Sequence, residues 1–426
     1  MTKEVSTEPR SKWRLARRSA LRLFGCALLV VVAGLVWAFS VYPATYVVRV
    51  LRYRGPDVSD YLKFPERPLS KSNDPFQFGR RNDESRIQSI MQRHSRINDL
   101  DPFLEETGTQ AFLVIIGDDI VYERYMNGYT RDSIVTSFST AKSVLSALIG
   151  IAVHEGQIHS ISDPITKYIP ELAARDSRFA QITIEHLLSM SSGIKYHEVD
   201  FLHGDNARIY FDPDLRNVAL QETFVEYEPG VRFEYNNFHP LLLGLILERS
   251  TDQSVTSLLQ QKIWTPMGAE YDGSWSLDSE AGGLEKLESG LNARAVDFAR
   301  FGWLFLHKGA RNDQHVIPSA WVEASTQPRD KRIKEYYPES YKFDGGHVYY
   351  KHMWWGLQRD SGESDFAAMG NLGQYIFVSP RSDLVVVRNG IRHGVGDFTW
   401  LGIFHHLANS LSGESEAAES EEADNK

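Results

Sequence analysis

Two paired β-rich runs stand at opposite ends of the folded part of this chain, and helical text fills the space between them. The first pair lies in Gln110–Tyr125 (QAFLVIIGDDIVYERY), where turn residues Gly117-Asp118-Asp119 separate two apolar runs and predict a β-hairpin. The second pair is Gln374–Val378 and Leu384–Arg388, joined by Ser379-Pro380-Arg381-Ser382-Asp383. Between them come a helix opening at SFSTAKSV and running to about His154, then TIEHLLSMSSGI, HPLLLGLILERS, SVTSLLQQKIW and ARAVDFARFGWLFLHKG. In the last of these Val296, Ala299, Phe301, Leu304 and Phe305 form a helical stripe, with Gly309 as the stop. A short helix is expected over Ser85–Arg96 and a closing helix over Asp397–Leu411. Strands from both ends must share one sheet, so the expected class is α+β: an antiparallel sheet flanked by helices, with a large helical insertion.

The N-terminus follows another logic. Leu23–Val41 (LFGCALLVVVAGLVWAFSV) carries no charge and is about as long as one membrane span. Arginines crowd its N-terminal side, and Trp37 and Tyr42 mark the other, so the positive-inside rule places the N-terminus in the cytoplasm and the rest outside. The expected location is a bacterial inner membrane, single-pass, with the folded domain extracytoplasmic. A cleaved signal peptide, ending near Ala38-Phe39-Ser40, is the alternative. The expected organisation is a basic segment 1–22, a transmembrane anchor 23–42, a connector 43–84, a folded domain 85–411 and a disordered acidic tail 412–426. The lone cysteine, Cys26, allows no intrachain disulfide and sits in the apolar run. A net charge of −10 argues against a nucleic-acid partner.

Ser139-Thr140-Ala141-Lys142 opens the long apolar helix. Residues three apart on a helix share a face, so the hydroxyl and the amine can meet. Ser and Thr also favour helix starts for capping reasons alone. A second S-x-x-K, Ser192–Lys195, follows the helix TIEHLLSM, with Gly193 placed as its C-terminal cap, where i and i+3 side chains do not converge. Further on the text reads Phe233-Glu234-Tyr235-Asn236-Asn237, and Tyr235 and Asn237 lie just before a helix. In an extended segment both would point the same way, towards one lysine. No G-x-S-x-G is present, which disfavours an α/β-hydrolase, and no H-E-x-x-H, G-x-G-x-x-G or P-loop appears, so no metal or cofactor is expected.

S-x-x-K at a helix start, then Y-x-N, then a late strand with glycines is the order found in the penicillin-recognising serine hydrolases. ITIEHLLSMSSGI, EPGVRFEYNN, LLGLILER, WTPMGA and ARAVDFARFG resemble the class C β-lactamase-like branch. FEYNNFHPLLLGLILER and GNLGQYIFVSP are most similar to 6-aminohexanoate-dimer hydrolases and related esterases. The resemblance spans about Gln110–Leu411. It implies Ser139 as nucleophile, Lys142 and Tyr235 as the proton-handling pair, and Asn237 as a support for Lys142. The N–H groups of Ser139 and Gly370 would bind the oxyanion.

The chain departs from the family at one place. Where β-lactamases carry Lys-Thr-Gly, the aligned residues are Ala367-Ala368-Met369. The side chains that grip a carboxylate are missing, while acyl transfer itself is untouched. Trp354, Trp355 and Asn371 are candidate substrate contacts, the tryptophans being equally plausible core residues. The loop Tyr196–Asp214 is long, aromatic and acidic, which suits a substrate with a free amine. The expected activity is hydrolysis of a small-molecule amide or ester. A β-lactamase or peptidoglycan peptidase, or a silent binding module of the same fold, are the alternatives.

Overall fold

The structure, a computed structural model, describes residues 9–328, 342–343, 346–359 and 362–413. The acidic tail beyond Gly413 lies outside the described residues. The chain divides into two units: residues 1–55 with 198–213, and residues 56–197 with 214–426.

The first unit is built on α1 (Pro9–Val41) and α2 (Ala44–Tyr53). Within α1, Ser19–Val41 has a mean hydropathy of 2.4, and among the described residues it alone is long and apolar enough to cross a membrane. Its side chains from Leu28 to Val32 are exposed, as lipid-facing residues would be. Pro43, which cannot extend a helix that would need its N–H, separates it from α2. Helix α2 buries Tyr46, Val47 and Val50, and the helix Asp205–Phe211 packs against it. The expected connector therefore begins as an amphipathic helix.

The second unit contains a nine-stranded sheet. Its order is 342–343, Gly346–Lys351, Trp354–Gln358, Ser364–Gly370, Gln374–Ser379, Leu384–Gly390, Thr109–Ile116, Asp119–Tyr125 and Gly79–Arg80. All pairings are antiparallel except the last. The two hairpins read from sequence lie side by side, with Val386 opposite Val114. Gly117 is the first central residue of the two-residue loop closing the first hairpin, at φ +60°. That is the type II′ position that favours glycine.

The connector contributes to this unit as well. Glu66–Leu69 pairs with Gly273–Ser276 in a second, four-stranded sheet, so the folded unit begins at Pro56 rather than Ser85. The helix expected at Ser85–Arg96 runs from Glu84 to Gln92, and the closing helix is Asp397–Leu411. The predicted stripe is buried in the helix Ala295–Leu306, and Gly309, at φ +84°, closes its end. Every residue of Ala141–Ala152 is buried, so this helix is a core element on all sides.

One hairpin escaped the sequence analysis. Lys351 pairs with Trp354 across a two-residue turn, His352–Met353, and both turn residues have positive φ (+44° and +67°). Such turns usually use Asn-Gly. Here tertiary contacts hold the strained pair: His352 Nε2 lies 2.6 Å from Glu185 Oε2, and Ser143 Oγ donates to Met353 O at 2.7 Å.

Candidate active site

Ser139 sits in a single 3₁₀ turn, Phe138–Thr140, that leads into the helix Ala141–His154. The residue before it, Phe138, has φ +43°. A bulky residue there costs on the order of 1–3 kcal/mol, and such strain clusters at functional sites. Lys142 lies one turn on, 1% exposed. Its Nζ donates to Ser139 Oγ at 2.6 Å and to Glu288 O at 2.9 Å. The i, i+3 geometry thus brings the hydroxyl and amine into direct contact.

Glu288 was not anticipated. Its carboxylate is buried, 3.3 Å from Lys286 Nζ, and accepts from Ser289 Oγ at 2.9 Å. These contacts fix the loop whose carbonyl holds Lys142. No sequence pattern marks a backbone acceptor brought in from a distant loop.

Tyr235 arrives from the far side. Lys142 Nζ lies 5.0 Å from the centre of its ring. Asn237 occupies the N-cap position of the helix Phe238–Thr251, and its Nδ2 donates to Tyr196 OH at 2.9 Å. Tyr196 is therefore a further polar group of this region, linked to Asn237 rather than seen in the motif.

Gly370 ends the strand Ser364–Gly370 and lies against the 3₁₀ turn that carries Ser139. A Cβ there would lie 2.5 Å from Ser137 O and 3.0 Å from Ser139 N, so only glycine lets the two backbones approach so closely. The upstream Ala367 and Ala368 are fully buried. Next along, Asn371 Oδ1 lies 2.9 Å from His393 Nε2 and accepts from Leu372 N at 2.8 Å. His393 Nδ1 is in turn 2.6 Å from Asp397 Oδ1.

The two tryptophans separate, as alternate residues on a strand must. Trp355 stacks on the Tyr235 ring, with centroids 6.1 Å apart and planes at 21°, and Tyr350 and Phe233 complete an aromatic wall. Trp354 faces the core, 1% exposed, against Phe301, Phe305 and Phe366. That placement does not fit a substrate contact, and corrects the expectation for Trp354.

The second S-x-x-K does not form a pair. Ser192 is buried with its Oγ 2.6 Å from His239 Nε2, whereas Lys195 is exposed. The preceding helix ends at Leu188, with Ser189 as its C-cap rather than Gly193. Gly193 instead meets Tyr227, whose carbonyl a Cβ would contact at 2.1 Å. Burial pushes the His239 imidazole down to about 3; His186 and Lys142 add to this, and a hydrogen bond to the Leu187 backbone opposes it. Among the described residues no three His, Cys, Asp or Glu side chains converge as a metal site would require.

Several carboxylates of the acidic loop are engaged locally. Asp212 pairs with Arg208, Asp200 accepts from Asn206, and Asp214 caps the helix Leu215–Gln221 through Asn217 N at 3.0 Å. These contacts weaken the expectation that its carboxylates await an amine.

The profile of the Beta-lactamase family matches residues 100–389. The 6-aminohexanoate-dimer hydrolase of Paenarthrobacter ureafaciens is 28% identical over 307 residues, covering 69% of this chain and 75% of the relative. Among solved structures, a Bacillus anthracis protein assigned as a 6-aminohexanoate-dimer hydrolase superposes with a TM-score of 0.69 at 23% identity, over 84% of this chain and 94% of that one. A class C beta-lactamase superposes with a TM-score of 0.56 at 14% identity, over 77% and 97% of the two chains. With a serine and a buried lysine in contact at the start of a core helix, and a family match over more than half its length, the chain belongs to the beta-lactamase family of serine hydrolases.

Proposed function

We propose that the protein is a membrane-tethered, exported amidase or esterase that acts on small acyl substrates through an acyl-enzyme on Ser139. The observation that carries this reading is the 2.6 Å contact between Ser139 Oγ and the buried Lys142 Nζ. A serine hydroxyl is a weak nucleophile until an adjacent group takes its proton. Oγ attacks the carbonyl carbon and its proton passes to Nζ, which Glu288 O holds in place. The tetrahedral oxyanion accepts hydrogen bonds from the Ser139 and Gly370 N–H groups. Tyr235 passes a proton to the leaving amine or alkoxide as the C–N or C–O bond breaks, with Asn237 supporting the Tyr235–Lys142 side of the cleft. Water, deprotonated through the same pair, then releases the acid and restores Ser139.

The Ala367-Ala368 stretch supports small acyl substrates with no obligatory carboxylate. Each charge-assisted hydrogen bond missing there is worth about 1.5–3 kcal/mol, roughly ten- to hundredfold in rate. Trp355 supports an apolar acyl or leaving group beside Tyr235, and Asn371 remains a candidate polar contact next to Gly370. α1 supports an inner-membrane anchor with the N-terminus in the cytoplasm and the catalytic unit outside. No metal, cofactor or nucleic acid enters this scheme.

A substrate panel on the full chain in detergent tests the reading. Uncharged esters and short linear amides should turn over at least tenfold faster, in kcat/KM, than a chromogenic cephalosporin or a D-Ala-D-Ala peptide. The reverse order would replace this reading with a β-lactamase or peptidase.

A further inference from the structure

Residues 198–213 leave the catalytic unit at His197 and return to it at Asp214, yet fold with the membrane-proximal chain. The contacts are specific. Tyr46 OH donates to Leu202 O at 2.8 Å, and Tyr46 is fully buried. Arg49 Nη1 donates to Phe211 O at 3.1 Å. The Arg208 guanidinium lies 4.7 Å from the Tyr46 ring centre and 5.4 Å from that of Tyr42. Tyr53 and Phe211 have centroids 6.3 Å apart. Positions 46, 49 and 53 recur at helical spacing, so one face of α2 makes these contacts along its length. The segment is internally braced by the buried Arg208–Asp212 pair and by Gly204, whose Cβ would collide with Val199 O at 2.0 Å.

The N-terminal end of this segment lies two residues from Tyr196, the partner of Asn237. At its other end the chain continues into Asp214, which caps the next helix through Asn217 N. Both ends are thus fixed in the catalytic unit and the middle is fixed by α2. We infer that α2 acts as a clamp on residues 198–213, so that the membrane-proximal helix helps position Tyr196 and with it the substrate selection at Ser139. Tyr46, Arg49 and Arg208 are positioning residues in this account. The chain beyond the span then shapes the enzyme as well as tethering it. The inference rests on Ser139 being the nucleophile.

The test uses the full chain in detergent micelles, as wild type, Tyr46→Ala and Tyr46→Phe. Amide hydrogen exchange over 198–213 reads the clamp. Labelling rates with a small and a long-chain fluorophosphonate read Ser139, and their ratio reads selection. In Tyr46→Ala, exchange over 198–213 should accelerate at least tenfold while the helix Ala141–His154 stays protected. The small probe should label within twofold of wild type, and the ratio of the two rates should shift at least threefold. Tyr46→Phe, which removes the hydroxyl that bonds Leu202 O and keeps the ring, should shift both readouts in the same direction by less. Unchanged exchange over 198–213 would overturn the clamp, and so would faster exchange with an unchanged ratio. Failure of wild type to label at Ser139 would instead overturn the reading on which the clamp rests.

Discussion

The two elements that flank Ser139 differ in how much of the expected motif they carry. On the helix edge, Ser139 and Lys142 keep the family spacing, and the structure joins them at 2.6 Å. On the strand edge, Gly370 makes its close approach to Ser137 and Ser139, but Ala367 and Ala368, three and two positions earlier, stand where the resemblance would place Lys-Thr. The groups that would make and break bonds are retained, while those that would hold a carboxylate are not. Under the proposed mechanism the difference teaches that acyl transfer and substrate recognition are separable here, because the reaction would use side chains at one edge and only backbone at the other.

The largest expected effect breaks the helix edge. Lys142→Met should lower kcat on any substrate by about 10⁴-fold, since members of a nucleophile–base unit fail together. Steady-state kinetics measures this, and a loss under tenfold would remove Lys142 from proton transfer. Gly370→Ala attacks the strand edge through backbone alone. Its Cβ would lie 2.5 Å from Ser137 O, displacing one oxyanion donor. The expected loss is about 10²–10³ in kcat with KM little changed. An unaltered kcat would show that Gly370 matters only for packing.

The tryptophan pair sharpens the comparison at its neighbouring strand. Trp354→Ala should cost about 3–5 kcal/mol in stability, as a buried Trp does, with KM nearly unchanged. Trp355→Ala should mainly raise KM for substrates with apolar groups, because it removes the partner stacked on Tyr235. Denaturant unfolding beside kinetics separates the two, and equal effects on both measures would refute the division.

The smallest effect concerns acid stability. His239 is held neutral in the fold, down to about 3 against 6.5 ordinarily. Between those values the unfolded chain binds more protons, so stability falls as pH drops below 6.5. The slope from this group is at most about 1.4 kcal/mol per pH unit. Asp297, pushed up to about 6 chiefly by burial, acts in the opposite sense between 3.8 and 6. Comparing wild type with His239→Gln isolates the His239 part. Parallel stability curves from pH 7 to 5 would contradict it.

What could be read from sequence follows from where the information lies. Local periodicity and turn chemistry predicted both terminal hairpins and the closing helix Asp397–Leu411, because Gly117 and the apolar runs carry their own signals. The Ser139–Lys142 contact needed only helix geometry. The turn at His352–Met353 was invisible because its positive φ values are held by Glu185 and Ser143, far away in the chain. Glu288 escaped because its carbonyl, rather than its side chain, meets Lys142. Tyr196 could have been suspected as the first residue of the long loop, but no pattern ties it to Asn237. The loop was read from its acidic and aromatic residues alone, whereas the structure pairs Asp212 with Arg208 and packs the segment on α2, contacts that no local pattern announces.

The account stands on Ser139 as the nucleophile. Intact mass of the full chain after exposure to a fluorophosphonate, with Ser139→Ala alongside, measures this directly. The account predicts one adduct, mapped to Ser139 and missing in the variant. No adduct on folded wild-type protein, or an adduct that persists in Ser139→Ala, would contradict it.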